Sequence, residues 1–180
     1  MDEFDDILRQ ATEQIGEDYF QLPIAGQDDA IYRERVYCYE LYHLLRTGWP
    51  IDSPFRLSGE IDKSGHPLVR EEPLTRVKPD LLVHIPGQMT NAVAIEVKSV
   101  SLNTRGLTKD LETLSGFMEL ANYENAALLV YGPGGRARVA GLLAAAIDQA
   151  EHTVVPDQIR LWVHEQPGVE AQYVGTVADA

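Results

Sequence analysis

Two acidic residues and a lysine in this sequence have the types and spacing to hold a divalent metal ion against a phosphate. Asp80 precedes the apolar segment 81–85, Glu96 lies near the end of a second apolar segment, 92–97, and Lys98 follows two residues later. Both segments have the length and composition of interior β-strands. Mg²⁺ takes hard oxygen ligands together with water and substrate phosphate. The pattern therefore predicts a metal site built on two neighbouring strands.

A hairpin would bring these groups together. Pro86-Gly87 can turn the chain between the two strands, so antiparallel pairing would place Asp80 close to Glu96 across the ladder. Side chains alternate along a strand, so Lys98 should face the same side as Glu96. An ammonium group at that position can position an attacking water or neutralise charge that develops on phosphorus.

The same residues also have an ordinary interpretation, in which charged side chains merely solubilise the ends of apolar strands. Each residue taken alone favours that interpretation. Their combination does not, because Glu96 lies within an otherwise apolar run. A buried carboxylate without a partner costs several kcal/mol. A cation, either Lys98 or a metal ion, is therefore expected beside Glu96.

Hydrophobic periodicity predicts the elements that must position these residues. Helices are expected over 3–15, 30–46, 107–123 and 137–151, and strands over 54–60, 81–85, 92–97, 126–131, 159–164 and 170–174. A loop is expected over 16–29, and a hairpin loop or flap over the charged segment 61–76. The helix at 107–123 followed by a strand suggests a crossover onto the same sheet.

Three short motifs in this order of elements carry a resemblance to a known superfamily. Arg33-Glu34-Arg35, Pro79-Asp80 and Glu96-Val97-Lys98, with the segment 109–114, resemble the PD-(D/E)XK nucleases and, among them, a group of small, mostly uncharacterised bacterial members. The resemblance covers residues 31–131 in the order α, β, β, β, α, β. It implies an α/β restriction-endonuclease-like core with a mixed central sheet flanked by helices. An N-terminal helix, a C-terminal helix and two further strands would be additions to that core.

The resemblance also implies an activity. It implies a Mg²⁺-dependent phosphodiesterase, a nuclease acting on DNA in bacterial defence or mobile-element biology, with Mn²⁺ able to replace Mg²⁺. Asp80, Glu96 and the backbone carbonyl of Val97 would bind the metal, and Lys98 would be the catalytic lysine. Cleavage of both strands of a duplex would favour a homodimer, because it usually needs two such sites.

In such enzymes a glutamate on the first core helix commonly completes the site, and the chain offers two. Glu34 is the preferred candidate for this metal ligand. Glu40 is the alternative, but it lies about one and a half turns further along the helix and points largely away from Glu34.

Other chemistry-bearing residues favour structural roles. Cys38 and His43 are five positions apart on a helix, which places them poorly as nucleophile and base. His84 is in phase with Asp80 and can approach the site, although a structural or supporting role is preferred. Lys109 either contacts substrate phosphate or is simply solvated. Four tyrosines could stack on bases, but filling a helix-to-sheet interface is preferred: Tyr32, Tyr37, Tyr39 and Tyr42.

Composition sets limits on the setting and on the partners. The chain has 180 residues, of which 44% are hydrophobic, and one cysteine, which suggests one globular domain over residues 1–180. No apolar run reaches the roughly 18 residues of a membrane span, and the acidic N-terminus is unlike a secretory signal. A cytoplasmic location is therefore expected.

The charge of the chain bears on nucleic-acid binding. The 15 Lys and Arg against 28 Asp and Glu give a net charge of −13, which opposes non-specific binding to phosphates. A nuclease of this composition needs a local basic patch, metal ions or a basic partner protein. Two alternatives therefore stay open: a non-catalytic member of the same fold acting as a subunit or adaptor in a larger complex, and an α/β interaction domain whose carboxylates merely pair with lysine.

Overall fold

A six-stranded mixed β-sheet organises the part of the chain that the computed structural model describes, residues 2–27, 29–59 and 78–180. The strands are β1 (Arg56–Gly59), β2 (Leu81–His84), β3 (Asn91–Ser99), β4 (Tyr123–Tyr131), β5 (Ile159–His164) and β6 (Gln172–Thr176). The helices are α1 (Asp2–Glu13), α2 (Glu17–Phe20), α3 (Glu34–Thr47), α4 (Thr104–Ala121) and α5 (Gly135–Asp148), followed by a short 3₁₀ helix (Val177–Asp179). The coarse prediction of a mixed sheet flanked by helices is confirmed.

The order of the strands in the sheet follows their order in the chain, β1 to β6. Strands β1, β2 and β3 form an antiparallel meander. Strands β3, β4 and β5 are parallel, with α4 and α5 as the connections between them, and β6 returns antiparallel to β5. Parallel strands need such crossovers, and the expected crossover through the helix after β3 is confirmed.

Two apolar layers cover the two faces of the sheet. One joins α1 and α3 to side chains such as Ile95 and Val97 of β3, and the other joins α4 and α5 to the opposite face, which includes Ala94. Strands covered on both faces are apolar almost throughout. This explains why Glu96 and Lys98 stand out within β3.

Some predicted boundaries are wrong. Helix α3 begins at Glu34 rather than at residue 30, because Ile31 instead pairs with Leu22 through two backbone hydrogen bonds of 2.8 and 3.0 Å. The expected loop at 16–29 contains the short helix α2. Helix α4 begins earlier than predicted, because the Asn103 side chain caps it by accepting a hydrogen bond from Gly106 N. The expected flap at 61–76 lies outside the described residues.

His164, at the end of β5, gives the fold a pH dependence. It is fully buried, its Nδ1 lies 2.7 Å from the Tyr37 hydroxyl, and its ring packs edge-on against Phe20. Burial lowers the pKa of His164 from 6.5 to about 4. The unfolded chain therefore binds this proton first as the pH falls, so stability is lost from pH 6.5 down to 4.

We expect this histidine to account for about 3 kcal/mol of the stability lost between pH 7 and pH 4. Urea unfolding at several pH values would compare the wild-type protein with His164→Gln, which keeps a polar partner for Tyr37 but does not titrate. The wild-type protein should lose more stability over this interval than the variant. Equal losses in the two proteins would contradict the assignment.

Candidate active site

The β2–β3 hairpin brings Asp80 and Glu96 together, as the sequence pattern predicts. Leu81 pairs with Ile95, so Asp80, one residue before β2, lies opposite Glu96. Asp80 Oδ2 accepts a hydrogen bond of 2.8 Å from the backbone N–H of Val97. The two carboxyl groups are close enough for each to shift the pKa of the other. The acidic side chains of Asp80 and Glu96 therefore lie next to each other near the end of β3.

Lys98 lies at the same end of the sheet and joins the two helical layers. Its Nζ is 3.3 Å from Glu34 Oε2 on α3 and 3.4 Å from Asp110 Oδ2 on α4. The Lys98 side chain is only 17% exposed. Ser99 N donates a further hydrogen bond of 3.3 Å to Glu34 Oε1. The ammonium group is thus held between two carboxylates beside the Asp80–Glu96 pair.

Burial dominates the electrostatics of the acidic groups. Glu96 is 6% exposed, and its burial, with the nearby charges of Asp110 and Asp80, raises its pKa well above the ordinary value. Burial also raises the pKa of Asp80, against the opposing hydrogen bond from Val97 N. Burial raises the pKa of Asp110 to about 7, and Lys98 opposes this shift. These groups resist being negatively charged together.

The surroundings of Lys98 favour its charged form, unlike those of the acidic groups. Burial by itself lowers the pKa of Lys98, but the neighbouring carboxyl groups outweigh that effect and raise the pKa above its ordinary value. Lys98 therefore keeps its charge at neutral pH. One ammonium group cannot neutralise the four carboxyl groups around it, so the remaining ones must share protons or bind another cation.

Asp80 and Glu96 by themselves supply fewer donors than a metal ion needs. Within residues 2–27, 29–59 and 78–180, no three His, Cys, Asp or Glu side chains form a group that could hold a metal ion. Asp80 and Glu96 supply two adjacent carboxyl groups in a charge-rich environment. Mg²⁺ usually keeps several waters and is bound through one or two carboxylates and substrate phosphates. The expected role of the Val97 carbonyl oxygen stays a prediction.

Of the two glutamates considered on the first core helix, Glu34 makes the contacts with β3. It is the first residue of α3, and its carboxylate meets Lys98 and Ser99. Glu40 lies six residues further along the same helix, which corresponds to about 9 Å of rise. The structure therefore favours Glu34 as the helix glutamate, while its role as a metal ligand stays a prediction.

Asp110 is the site residue that the sequence interpretation missed. It is 4% exposed and its Oδ2 faces Lys98. The signal was present, because Asp110 stands three residues after Leu107 and four before Leu114, within the apolar face of α4. An acidic residue on the buried face of a helix requires a partner, and here the partner is Lys98.

The other residues considered as candidates for the site either lie away from it or have structural contacts. His84 Nε2 is 3.1 Å from Ser58 Oγ of β1, at the end of β2 opposite to Asp80, on the order of 10 Å away along the strand. Burial, with Asp80 and Glu34, raises the pKa of the Cys38 thiol, which disfavours the thiolate. Tyr37 stacks on Tyr131 at a centroid distance of 3.9 Å, as expected of an interface tyrosine.

Comparisons with known proteins leave the site as the main guide to function. No protein-family model matches the chain, and comparisons with curated proteins and with solved structures gave no significant match. None of the helices in the described ranges is both long and apolar enough to pass through a bilayer.

Proposed function

We propose that this protein is a metal-dependent nuclease with a restriction-endonuclease-like core, which hydrolyses phosphodiester bonds in DNA. The observation that carries the proposal is the meeting of Asp80, Glu96 and Lys98 at one end of β3, with Glu34 in contact with the lysine. A cluster of buried carboxyl groups around one ammonium group is costly for stability alone. Binding of a divalent cation and a phosphate would explain why these carboxyl groups lie together.

The topology supports the same proposal. From α3 to β4 the elements run α, β, β, β, α, β, with an antiparallel meander that leads into a parallel strand. This order agrees with the core that the sequence motifs imply. The site lies where the meander meets the parallel strands, with α3 and α4 each contributing one acidic residue.

Each side chain has a chemical task in this proposal. A bound Mg²⁺ or Mn²⁺ would polarise the phosphate and the attacking water. Asp80 and Glu96 would hold the metal ion, with Asp80 oriented by Val97 N. Lys98 would position the water or neutralise charge that develops on the phosphate. Glu34 and Asp110 fix the position of the ammonium group.

Exposed cations adjoin the site residues in the sequence. Arg33 and Arg35 flank Glu34, Lys78 lies two residues before Asp80, and all three are exposed. We propose that they supply the local positive charge that a chain of net charge −13 needs to approach a nucleic acid. A second copy of the chain or a basic partner would add to this attraction.

A non-catalytic role in a larger nucleic-acid-processing complex is the second candidate. The overall acidity of the chain favours this role. The ion pairs of Lys98 with the carboxylates of Glu34 and Asp110 also favour it. In that case the ion pairs would be purely structural. Retention of both metal-binding carboxylates together with the lysine favours the nuclease.

A cleavage assay separates the two candidates. We expect the purified protein to cut single-stranded or duplex DNA when Mg²⁺ or Mn²⁺ is present, and to stop when a chelator is added; the RNA counterparts are tested beside them. If none of these substrates is cut although the protein is folded, the non-catalytic role is favoured and the nuclease proposal fails.

A further inference from the structure

A cleft of about 330 Å³ opens beside the acidic cluster, between α3 and the ends of β1 and β2. Its described lining consists of Cys38, Tyr39, Tyr42, Gly59, Asp80 and Leu81. Asp80 belongs both to this lining and to the candidate metal site. The cleft is therefore continuous with the place where the proposed function puts the scissile phosphate.

One face of α3 connects the two regions. Glu34, Cys38 and Tyr42 are spaced four residues apart and so lie along one side of the helix. Glu34 contacts Lys98, the Cys38 thiol lies in the fields of Asp80 and Glu34, and Tyr42 belongs to the cleft. This row leads from the catalytic lysine directly into the cleft.

The lining suits a flat, neutral group rather than a phosphate. Among the described lining residues there is no cation, and Asp80 is the only acidic residue. Tyr39 is 61% exposed, so its ring is accessible to a ligand in the cleft. Tyr42 is partly buried and packs against the apolar core beneath it. The volume is ample for one heterocyclic base.

We propose that this cleft binds one nucleobase of a single-stranded or locally unpaired nucleic acid, next to the phosphate held at Asp80. The proposal rests on the proposed nuclease function and adds the substrate class to it. The base would stack on the rings of Tyr39 and Tyr42, which every base can do through its π-face. Stacking also supplies affinity that does not depend on positive charge, which suits a chain of net charge −13.

Gly59 offers a way to fill part of the cleft without replacing either tyrosine. A Cβ built on Gly59 would lie 3.7 to 3.8 Å from Asp80 O, Tyr42 Cδ2 and Leu81 Cδ2, which is ordinary van der Waals contact. A Cβ therefore fits at this position, valine is a favourable residue in a strand, and its two Cγ atoms would take up part of the volume that a base needs. Tyr39→Ala removes one stacking surface instead.

Fluorescence anisotropy would test base binding directly, with Mg²⁺ present and in the Lys98→Ala background so that the probe stays intact. The probe is a labelled ten-nucleotide oligothymidylate, and its control is an abasic strand of the same length and charge. We expect the oligothymidylate to bind about tenfold more tightly than the abasic strand. Tyr39→Ala and Gly59→Val should each remove most of that preference, and Tyr39→Phe should keep it.

Tyr19→Ala is the matched control, because Tyr19 is also an exposed tyrosine but lies on α2. It should leave the preference unchanged. Equal binding of the two strands, no binding of either, or a preference that survives both Tyr39→Ala and Gly59→Val would overturn the proposal. Cleavage by the wild-type protein without base-dependent binding would reject the base-binding role of the cleft but not the nuclease proposal. Base-dependent binding without any cleavage would reject the nuclease.

Discussion

Lys98→Ala is expected to reduce kcat/KM for metal-dependent cleavage by about a thousandfold, the range of one positioned proton-transfer or electrostatic group. The reason is the position of Nζ, which lies within 3.4 Å of the carboxylates of Glu34 and Asp110 beside the Asp80–Glu96 pair. No other cation contacts these carboxylates among the ion pairs of the described residues. The loss should appear in kcat more than in KM, because the group acts on the reacting phosphate.

Lys109→Ala is the matched control for this change. Lys109 is an exposed lysine on α4, one residue before Asp110, and its removal alters the net charge equally. We expect it to lower kcat/KM by only a few fold. Circular dichroism would establish that Lys98→Ala is folded, and Lys98→Met, which keeps the length of the stem, provides a second variant. Cleavage at the wild-type rate in both Lys98 variants would reject the catalytic assignment.

Asp80→Asn should remove most of the metal binding and nearly all of the cleavage. Asparagine keeps an oxygen that can accept the hydrogen bond from Val97 N, so the change takes away charge rather than shape. Loss of one unit of charge beside a divalent ion should weaken Mg²⁺ binding by roughly tenfold or more. Isothermal titration calorimetry with Mg²⁺ alone would measure the affinity in the absence of nucleic acid.

The control for this variant is Asp52→Asn, the same chemical change at an exposed position in the turn after α3. It should bind Mg²⁺ like the wild-type protein. An unchanged Mg²⁺ affinity in Asp80→Asn would contradict the ligand role of Asp80. An absence of Mg²⁺ binding in the wild-type protein would instead favour a purely structural ion-pair network.

The strands around the site could be predicted because their signals are local. Alternation and β-branched composition place Asp80 opposite Glu96 and put Lys98 on the same side of β3, and the register Leu81↔Ile95 agrees. The preference for Glu34 over Glu40 rested on the resemblance, which implies a glutamate on the first core helix; helical geometry adds only that the two side chains point in different directions. These inferences need no knowledge of distant contacts.

The misses depend on contacts that a local pattern does not contain. Helix α3 starts late because Ile31 is taken by pairing with Leu22. His84 is in phase with Asp80, but it lies at the other end of β2, where its ring meets Ser58. Asp110 was noted only as part of the segment 109–114 and was given no role in the site, because its partner, Lys98, comes from another element.

The prediction for the four tyrosines is likewise correct for one residue and wrong for another. Four tyrosines near the start of α3 were assigned together to a helix-to-sheet interface. The structure bears this out for Tyr37, which stacks on Tyr131, whereas Tyr39 is largely exposed in the cleft beside Asp80. Residues 37 and 39 differ by about 200° around the helix axis, so one helix places them in opposite environments.

The most direct test of the central claim is the cleavage of single-stranded and duplex DNA by the wild-type protein and by Lys98→Ala, each with Mg²⁺ and with a chelator. A metal-dependent nuclease that uses this site predicts fragments only for the wild-type protein with Mg²⁺. Equal fragment yields from the wild-type protein and Lys98→Ala, or cleavage that persists in the chelator, would contradict the account.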